Sequence, residues 1–166
     1  CCMYAIKQAM LIAGSLPLAD ITIYYMDMRA FGKGYDQFFQ NAKAMGIEFV
    51  KGKVATITED DDMNPVVRVE LVDEGSKVAE RTHDMVVLSV GMLPEYNPEP
   101  VFSVARDEYG FVASPMPNLS STTTFRTGIF AAGAATSPMD IVDSIASASA
   151  AASSAAAYLN TKRNGR

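Results

Sequence analysis

In the first 50 residues, segments of helical periodicity alternate with short apolar runs. Residues 1–13 repeat apolar side chains at helical spacing, and ITIYY at 21–25 is typical of a buried strand. A second helix is predicted over 35–45, and IEFV follows it as a second strand. Helices that alternate with apolar strands predict parallel pairing, which places the chain in the α/β class.

The hydrophobic period changes after residue 52. KVATITED and VVRVELVD alternate apolar and polar residues around the turn DDDMNP, which predicts a small antiparallel sheet near residues 53–83. EGSKVAERTHD is interpreted as a polar link, and MVVLSVG at 85–91 as a strand buried on both faces.

The remaining residues predict a second unit. MLPEYNPEP is rich in proline and is interpreted as a linker. DEYGFVAS and GIFAAGAA are interpreted as strands. Residues 139–159 are interpreted as a helix, which is followed by a frayed polar tail. This order predicts two Rossmann-like dinucleotide-binding lobes of the FAD/NAD(P)-linked reductase type, present only in part. Residues 1–91 would be most of an inserted nicotinamide-type domain, and residues 92–166 the C-terminal part of an FAD-binding domain.

Composition excludes several classes of function. The 14 basic and 19 acidic residues give a net charge of −5, which argues against a nucleic-acid partner. A single histidine argues against a multi-histidine metal site. The longest uncharged run, 144–161, is too rich in serine and alanine to predict a membrane span.

The pair Cys1–Cys2 stands at the start of the first predicted helix, with no strand before it. We therefore expect the chain to be a C-terminal fragment or the product of a split gene. A helix N-terminus favours thiolates, the form in which cysteine binds metals. An iron–sulfur cluster needs four protein ligands, of which this chain supplies two cysteines. Two buried structural thiols are the alternative.

Lys7 lies further along the same helix. It is either a solvated surface lysine or, beside a flavin ring, a cation that stabilises the anionic reduced flavin.

The run TGIFAAGAATSPMDIVDSI combines an apolar segment, a Gly-Ala turn and a helix start. Gly133 would let the backbone approach a ligand closely. The helix N-terminus would offer N–H groups to an anion or to a flavin carbonyl. Asp140 and Asp143 are alternatively ordinary first-turn stabilisers of the helix. His83 and Asp84 are interpreted as structural residues, and the acidic run 59–62 as a solvated turn.

Five blocks in this order resemble the heterodisulfide reductase A family and its relatives in other flavin-based electron-transfer complexes. They are CCMYAIKQA, ITIYYMDMRAFGKGYDQFF, VVLSVGMLP, DEYGFV and GIFAAGAATSPMDIVDSI. The resemblance implies a thioredoxin-reductase-like flavoprotein with FAD and [4Fe–4S] clusters. It implies a cytoplasmic oxidoreductase complex of methanogenesis that relays electrons among flavin and clusters, in methanogens by flavin-based bifurcation.

The resemblance also implies roles for individual residues. Cys1 and Cys2 fall on the vicinal pair that ends the family's cluster motif, and Lys7 falls on a lysine near the flavin. The implied FAD-binding residues are Gly91, Met92, Gly133, Ala134, Asp140, Ile141 and Ser144. The implied partners are the missing N-terminal half or a partner subunit, other heterodisulfide-reductase-type subunits, and iron–sulfur electron carriers.

Two departures from the family pattern matter. The glycine-rich loop for the FAD diphosphate and the other cluster cysteines are not in this sequence. Both cofactor sites are therefore expected to be shared with sequence outside the chain, and the isolated chain to be inactive. Two other functions remain open: an NAD(P)H-dependent disulfide reductase that uses Cys1 and Cys2 as a redox pair, and a non-catalytic structural remnant. Asp27 could mimic a ribose-binding acid, but no glycine fingerprint accompanies it.

Overall fold

The computed structural model describes residues 1–165, which fall into two compact units that divide after Gly91. The first unit contains α1 (Cys2–Ser15), β1 (Thr22–Tyr25), α2 (Tyr35–Ala44), β2 (Glu48–Glu59), β3 (Pro65–Leu71) and β4 (Lys77–Thr82). The second contains the short helix α3 (Glu99–Phe102) and the long helix α4 (Ile141–Asn164). The predicted α/β class is confirmed. Within residues 1–165, no helix is both long and apolar enough to cross a bilayer.

The two helices of the first unit share one apolar core. Ile6 and Ala9, one turn apart on α1, are buried against Ala42 of α2 and Ile47. Partly buried side chains of the sheet pack against this cluster, including those of Ile23 and Phe49. Residues 23 and 49 are partners in the sheet register, so one face of the parallel pair is covered by helices.

The four strands form a sheet of order β1-β2-β3-β4. β1 pairs with β2 in parallel, and β2, β3 and β4 pair antiparallel, which confirms the small antiparallel sheet. IEFV and KVATITED belong to one continuous strand, β2, rather than two.

The sequence does not predict β4, because the polar run EGSKVAERTHD indicates a link rather than a strand. Its inward positions, Ala79 and Arg81, carry no large apolar side chain and so give no apolar alternation.

The prediction of a buried strand over 85–91 is wrong for the described chain. These residues have no regular secondary structure, and most of their side chains are exposed. A parallel strand needs backbone partners, and residues 85–90 make no backbone hydrogen bond within residues 1–165. Apolar composition alone therefore does not produce a strand here.

The strands predicted in the second unit are also wrong. DEYGFVAS and GIFAAGAA each form only a single isolated bridge, Arg106 with Val112 and Thr123 with Phe130. Gly128 and Gly133 adopt φ values of +84° and +65°, which interrupt an extended backbone. The predicted frayed tail is helical as far as Asn164.

Short polar and aromatic contacts hold α4 to the loops before it. Thr122 lies 3.2 Å from Ser154 of α4 through their hydroxyl oxygens, and Phe130 contacts Tyr158 edge to face. The segment rich in alanine and serine is therefore an ordered helix, although none of its side chains is fully buried within residues 1–165.

Candidate functional site

The first turn of α1 contacts the chain just after β1 and the last residue of the 85–91 segment. The Cys2 Sγ lies 3.8 Å from the carbonyl oxygen of Asp27, just beyond β1. The Tyr4 hydroxyl donates a 3.4 Å hydrogen bond to the carbonyl oxygen of Gly91, at the end of the 85–91 segment. Three parts of the chain that are distant in sequence therefore converge beside the cysteine pair.

Both cysteines are free thiols, Cys1 exposed and Cys2 half-buried. Cys1 is the N-cap of α1, no side chain caps the helix, and the first turn carries no acidic residue. The positive end of the helix dipole at this turn favours anionic ligands such as thiolates.

The donor set at this turn supplies half of a cluster site. Within residues 1–165, no three His, Cys, Asp or Glu side chains lie close enough together to hold a metal ion. A [4Fe–4S] cluster takes four protein ligands, so the two cysteines fit such a site only if further ligands come from outside these residues.

Lys7 is exposed on α1, one turn after Tyr4. Residues three apart on a helix are neighbours on its surface, so Lys7 follows Tyr4 on the side that reaches Gly91. Ile6 and Ala9 face the core instead. The ammonium group is therefore available to a ligand near the start of α1.

The second unit brings five predicted residues together around the start of α4. Gly133 and Ala134 lie in a 3₁₀ turn, Gly133–Ala135. The Gly133 N–H donates to the Ser147 hydroxyl at 3.1 Å. A Cβ atom built on Gly133 would lie 3.5 Å from the Cβ of Ser144, which places the turn directly against the helix.

A side chain caps the N-terminus of α4, but two backbone N–H groups there have no acceptor within the described residues. Asp140 is the N-cap, and its side chain accepts a 2.8 Å hydrogen bond from the Asp143 N–H. The N–H groups of Ile141 and Val142 make no hydrogen bond within the described part of the chain. These two donors are open to an acceptor, while the carboxylates of Asp140 and Asp143 disfavour an anion there.

The predicted residues thus form two groups, one in each unit. Cys1, Cys2, Lys7 and Gly91 belong to the first unit; Gly133, Ala134, Asp140, Ile141 and Ser144 belong to the second. Met92 is the first residue of the second unit and is exposed.

Sequence reasoning missed a polar network on the sheet. Glu48 accepts hydrogen bonds from Arg81 at 2.7 Å and Thr22 at 2.8 Å. The Tyr24 hydroxyl lies 2.8 Å from Nε2 of His83, and burial raises the pKa of Tyr24. The signal available in the sequence was the spacing of two between residues 22 and 24, which places both side chains on one face of β1.

Comparison with known proteins identifies relatives over nearly the whole chain. The second iron–sulfur A subunit of the CoB–CoM heterodisulfide reductase of Methanopyrus kandleri is 46% identical over 164 residues, covering 96% of this chain and 25% of the relative. The A subunit of the H₂:CoB–CoM heterodisulfide, ferredoxin reductase of Methanothermobacter thermautotrophicus is 41% identical over 160 residues, covering 94% and 24%. The A subunit of the ferredoxin:CoB–CoM heterodisulfide reductase of Methanosarcina mazei is 39% identical over 164 residues, covering 97% and 21%.

The chain is homologous to part of the A subunit of heterodisulfide reductase. The resemblance noted in the sequence is thereby confirmed, and the chain spans about a quarter of the length of these relatives. No protein-family model matches it. Thioredoxin reductase from Streptococcus pyogenes is similar in structure, with a TM-score of 0.46 and 21% identity over 95% of this chain and 50% of that one.

The Arg81–Glu48 contact predicts an acid-dependent loss of stability. The hydrogen bond from Arg81 holds the pKa of Glu48 below its ordinary value of 4.5, so the folded protein binds this proton less readily than the unfolded chain. The resulting stabilisation is complete above pH about 4.5 and is lost as pH falls through the lower pKa of the folded state. We expect Arg81→Gln to weaken the fall in unfolding free energy below that pH, as measured by urea titrations at several pH values.

Arg68→Gln is the matched control, because Arg68 is exposed on the neighbouring strand β3 and makes no ion pair within residues 1–165. Equal acid sensitivity in the two variants would contradict the assigned role of Arg81.

Proposed function

We propose that this chain is the part of a heterodisulfide-reductase-type A subunit that contributes half of an FAD site and half of an iron–sulfur cluster site. In this role it relays electrons between FAD and clusters within a larger oxidoreductase complex. The observation that carries the proposal is the first turn of α1, which has two adjacent free cysteines, no side-chain cap and no acidic residue, and places the Cys2 thiol beside the carbonyl oxygen of Asp27. The homology to heterodisulfide reductase over nearly the whole chain supports it.

Cys1 and Cys2 would hold one edge of a [4Fe–4S] cluster, which supplies one-electron transfer when bound. The positive end of the helix dipole would suit an anionic cluster at this position, and the first turn carries no acidic residue. The remaining ligands would come from the rest of the longer protein.

FAD would be held in part by the start of α4, and it supplies coupling of one- and two-electron transfer when bound. The open N–H groups of Ile141 and Val142 suit a neutral carbonyl acceptor, such as the pyrimidine edge of a flavin. Gly133, which is buried in its turn and has no side chain, would let the cofactor approach the backbone closely. Lys7 would provide positive charge that favours the reduced, anionic flavin.

The proposal extends to partners and substrates through the relatives. Their names specify ferredoxin and the CoB–CoM heterodisulfide, so we propose iron–sulfur electron carriers and other subunits of such a complex as partners. Flavin-based bifurcation is the specific form of electron transfer that we propose for it.

Replacing a cluster cysteine should remove one cluster. In the complete complex, we expect Cys1→Ser to lose one [4Fe–4S] signal from the EPR spectrum of the reduced protein, because serine is a poor ligand for iron–sulfur clusters. Gln8→Ala, an exposed change on the same helix, should keep every signal. An unchanged cluster count in Cys1→Ser would show that this cysteine is not a ligand. Turnover of a disulfide with NADPH by the wild type would instead favour the disulfide-reductase alternative.

A side chain at Gly133 should abolish FAD binding. Valine is strained at a φ of +65°, and its branched side chain would press on Ser144 and obstruct the cofactor. We expect Gly133→Val to lower the flavin content of the purified complex at least about tenfold, measured from its absorbance. Gly14→Val is the control, because a Cβ at Gly14 meets no atom within 4 Å. Full flavin content in Gly133→Val would place the FAD elsewhere.

Removing the Lys7 charge should change the flavin potential without releasing the flavin. We expect Lys7→Ala to lower the reduction potential by roughly 20–40 mV, because the loss of a nearby cation worth about 1 kcal/mol destabilises the reduced anion. Lys53→Ala removes the same charge from an exposed strand position and should leave the potential unchanged. Identical redox titrations for the two variants would remove Lys7 from the flavin site.

A further inference from the structure

Both backbone polar groups of Gly133 are engaged within the second unit. Its N–H donates to the Ser147 hydroxyl at 3.1 Å, and its carbonyl oxygen accepts from the N–H and the hydroxyl of Thr136, each at 2.9 Å. Gly133 is buried and has a φ of +65°. Hydrogen bonds therefore determine the conformation of this turn, and the one to Ser147 connects the turn to α4.

Ser147 belongs to the face of α4 that meets the preceding loops. Five half-buried residues recur on this face at spacings of three and four: Ser144, Ser147, Ala151, Ser154 and Tyr158. The contacts of this face with the loops are hydroxyl hydrogen bonds and a ring contact. Ser147 is the residue of the face whose hydroxyl reaches the 3₁₀ turn.

The serine at position 147 suits the turn better than it suits the helix. Serine is a weaker helix former than alanine, which occupies the positions on either side. Its half-buried hydroxyl also loses contact with water on folding. In exchange, the hydroxyl supplies the acceptor for the Gly133 N–H, and a buried N–H without an acceptor is destabilising.

The anchored turn carries further backbone donors. The N–H groups of Ala134 and Ala135 make no hydrogen bond within residues 1–165, and the same is true of those of Ile141 and Val142. The bond to Ser147 links the first pair, on the turn, to the second pair, on α4. A ligand that accepts from both segments binds more tightly when the two are already held in one arrangement.

We propose that Ser147 is a positioning residue of the FAD site assigned above. Its hydroxyl holds the turn at Gly133 against α4, so that the two segments present their donors to the cofactor in one arrangement. Ser147 acts through Gly133 rather than on the cofactor itself. The inference rests on the proposed function for the identity of the ligand, whereas the contact that carries it lies within the second unit.

Hydrogen exchange tests the anchoring of the turn and needs no bound flavin. In the full-length protein, we expect Ser147→Ala to speed exchange of the Gly133 amide at least about tenfold, because the variant removes its acceptor. Mass spectrometry of peptides that span the turn measures the exchange. Ser149→Ala is the matched control, since the Ser149 hydroxyl donates to the Ile145 carbonyl within α4. Unchanged exchange at Gly133 in Ser147→Ala would overturn the inference.

Flavin affinity tests the positioning role. We expect Ser147→Ala to raise the dissociation constant of FAD at least about fivefold, because a turn that samples several arrangements is competent to bind for only part of the time. Titration of FAD into the flavin-depleted full-length protein, followed by flavin fluorescence, measures the constant.

Ser154→Ala is the structural control for the affinity measurement. It removes the 3.2 Å hydroxyl contact between α4 and Thr122 and leaves the turn at Gly133 intact, so the FAD affinity should not change. Wild-type affinity in Ser147→Ala, or an equal loss of affinity in Ser154→Ala, would contradict the positioning role.

The two proposals fail separately. A wild-type full-length protein that binds no FAD would contradict the proposed function and, with it, the ligand of this inference, while faster Gly133 exchange in Ser147→Ala would still support the anchoring. A protein that binds FAD equally well with and without the Ser147 hydroxyl would contradict the positioning role and leave the proposed function standing.

Discussion

The close approach of two backbones at Gly52 is the contact on which the first unit depends. β2 pairs in parallel with β1 as far as Lys51 and antiparallel with β3 from Gly52 onward. A Cβ atom at position 52 would lie 2.7 Å from both the carbonyl oxygen of Glu70 and the Cγ2 of Val69. Since packed interiors hold few voids, a larger residue would separate the strands where the parallel and antiparallel parts of the sheet join.

The junction at Gly52 allows the antiparallel strands to return towards the parallel pair. With β3 held close to β2, β4 ends beside the start of β2, where Arg81 reaches Glu48. Two residues later His83 meets Tyr24, and the following segment delivers Gly91 to Tyr4 at the start of α1. The surroundings of the cysteine pair are therefore a consequence of strand pairing more than 40 residues away in sequence.

The elements that the sequence predicts well are those whose evidence is local. The periodicity of α1 and α2 and the apolar run of β1 suffice, because helices and their flanking strands bury residues at regular spacing. Residues 85–91 have an equally strong apolar pattern, yet a strand also requires backbone partners, which a hydropathy pattern does not report. The contact between Tyr4 and Gly91 joins residues 87 positions apart, and no local pattern indicates it.

Gly133 and Ser144, separated by one turn and one helix start, could be placed together from the sequence. The identities of the two units as nicotinamide-type and FAD domains, and the roles of the individual residues, stay predictions.

The helix N-termini at the two candidate sites differ in the acidic residues that they carry. The first turn of α1 has no acidic residue and no side-chain cap, so no carboxylate there offsets the helix dipole. The start of α4 carries Asp140 and Asp143, whose carboxylates offset the dipole and occupy one backbone donor. Under the proposed function, α1 would suit a negatively charged thiolate–iron cluster, whereas α4 would suit an uncharged acceptor that needs donors but little positive potential. A flavin carbonyl is such an acceptor and a phosphate is not, so the electrostatics of α4 suit the ring end of FAD rather than its diphosphate.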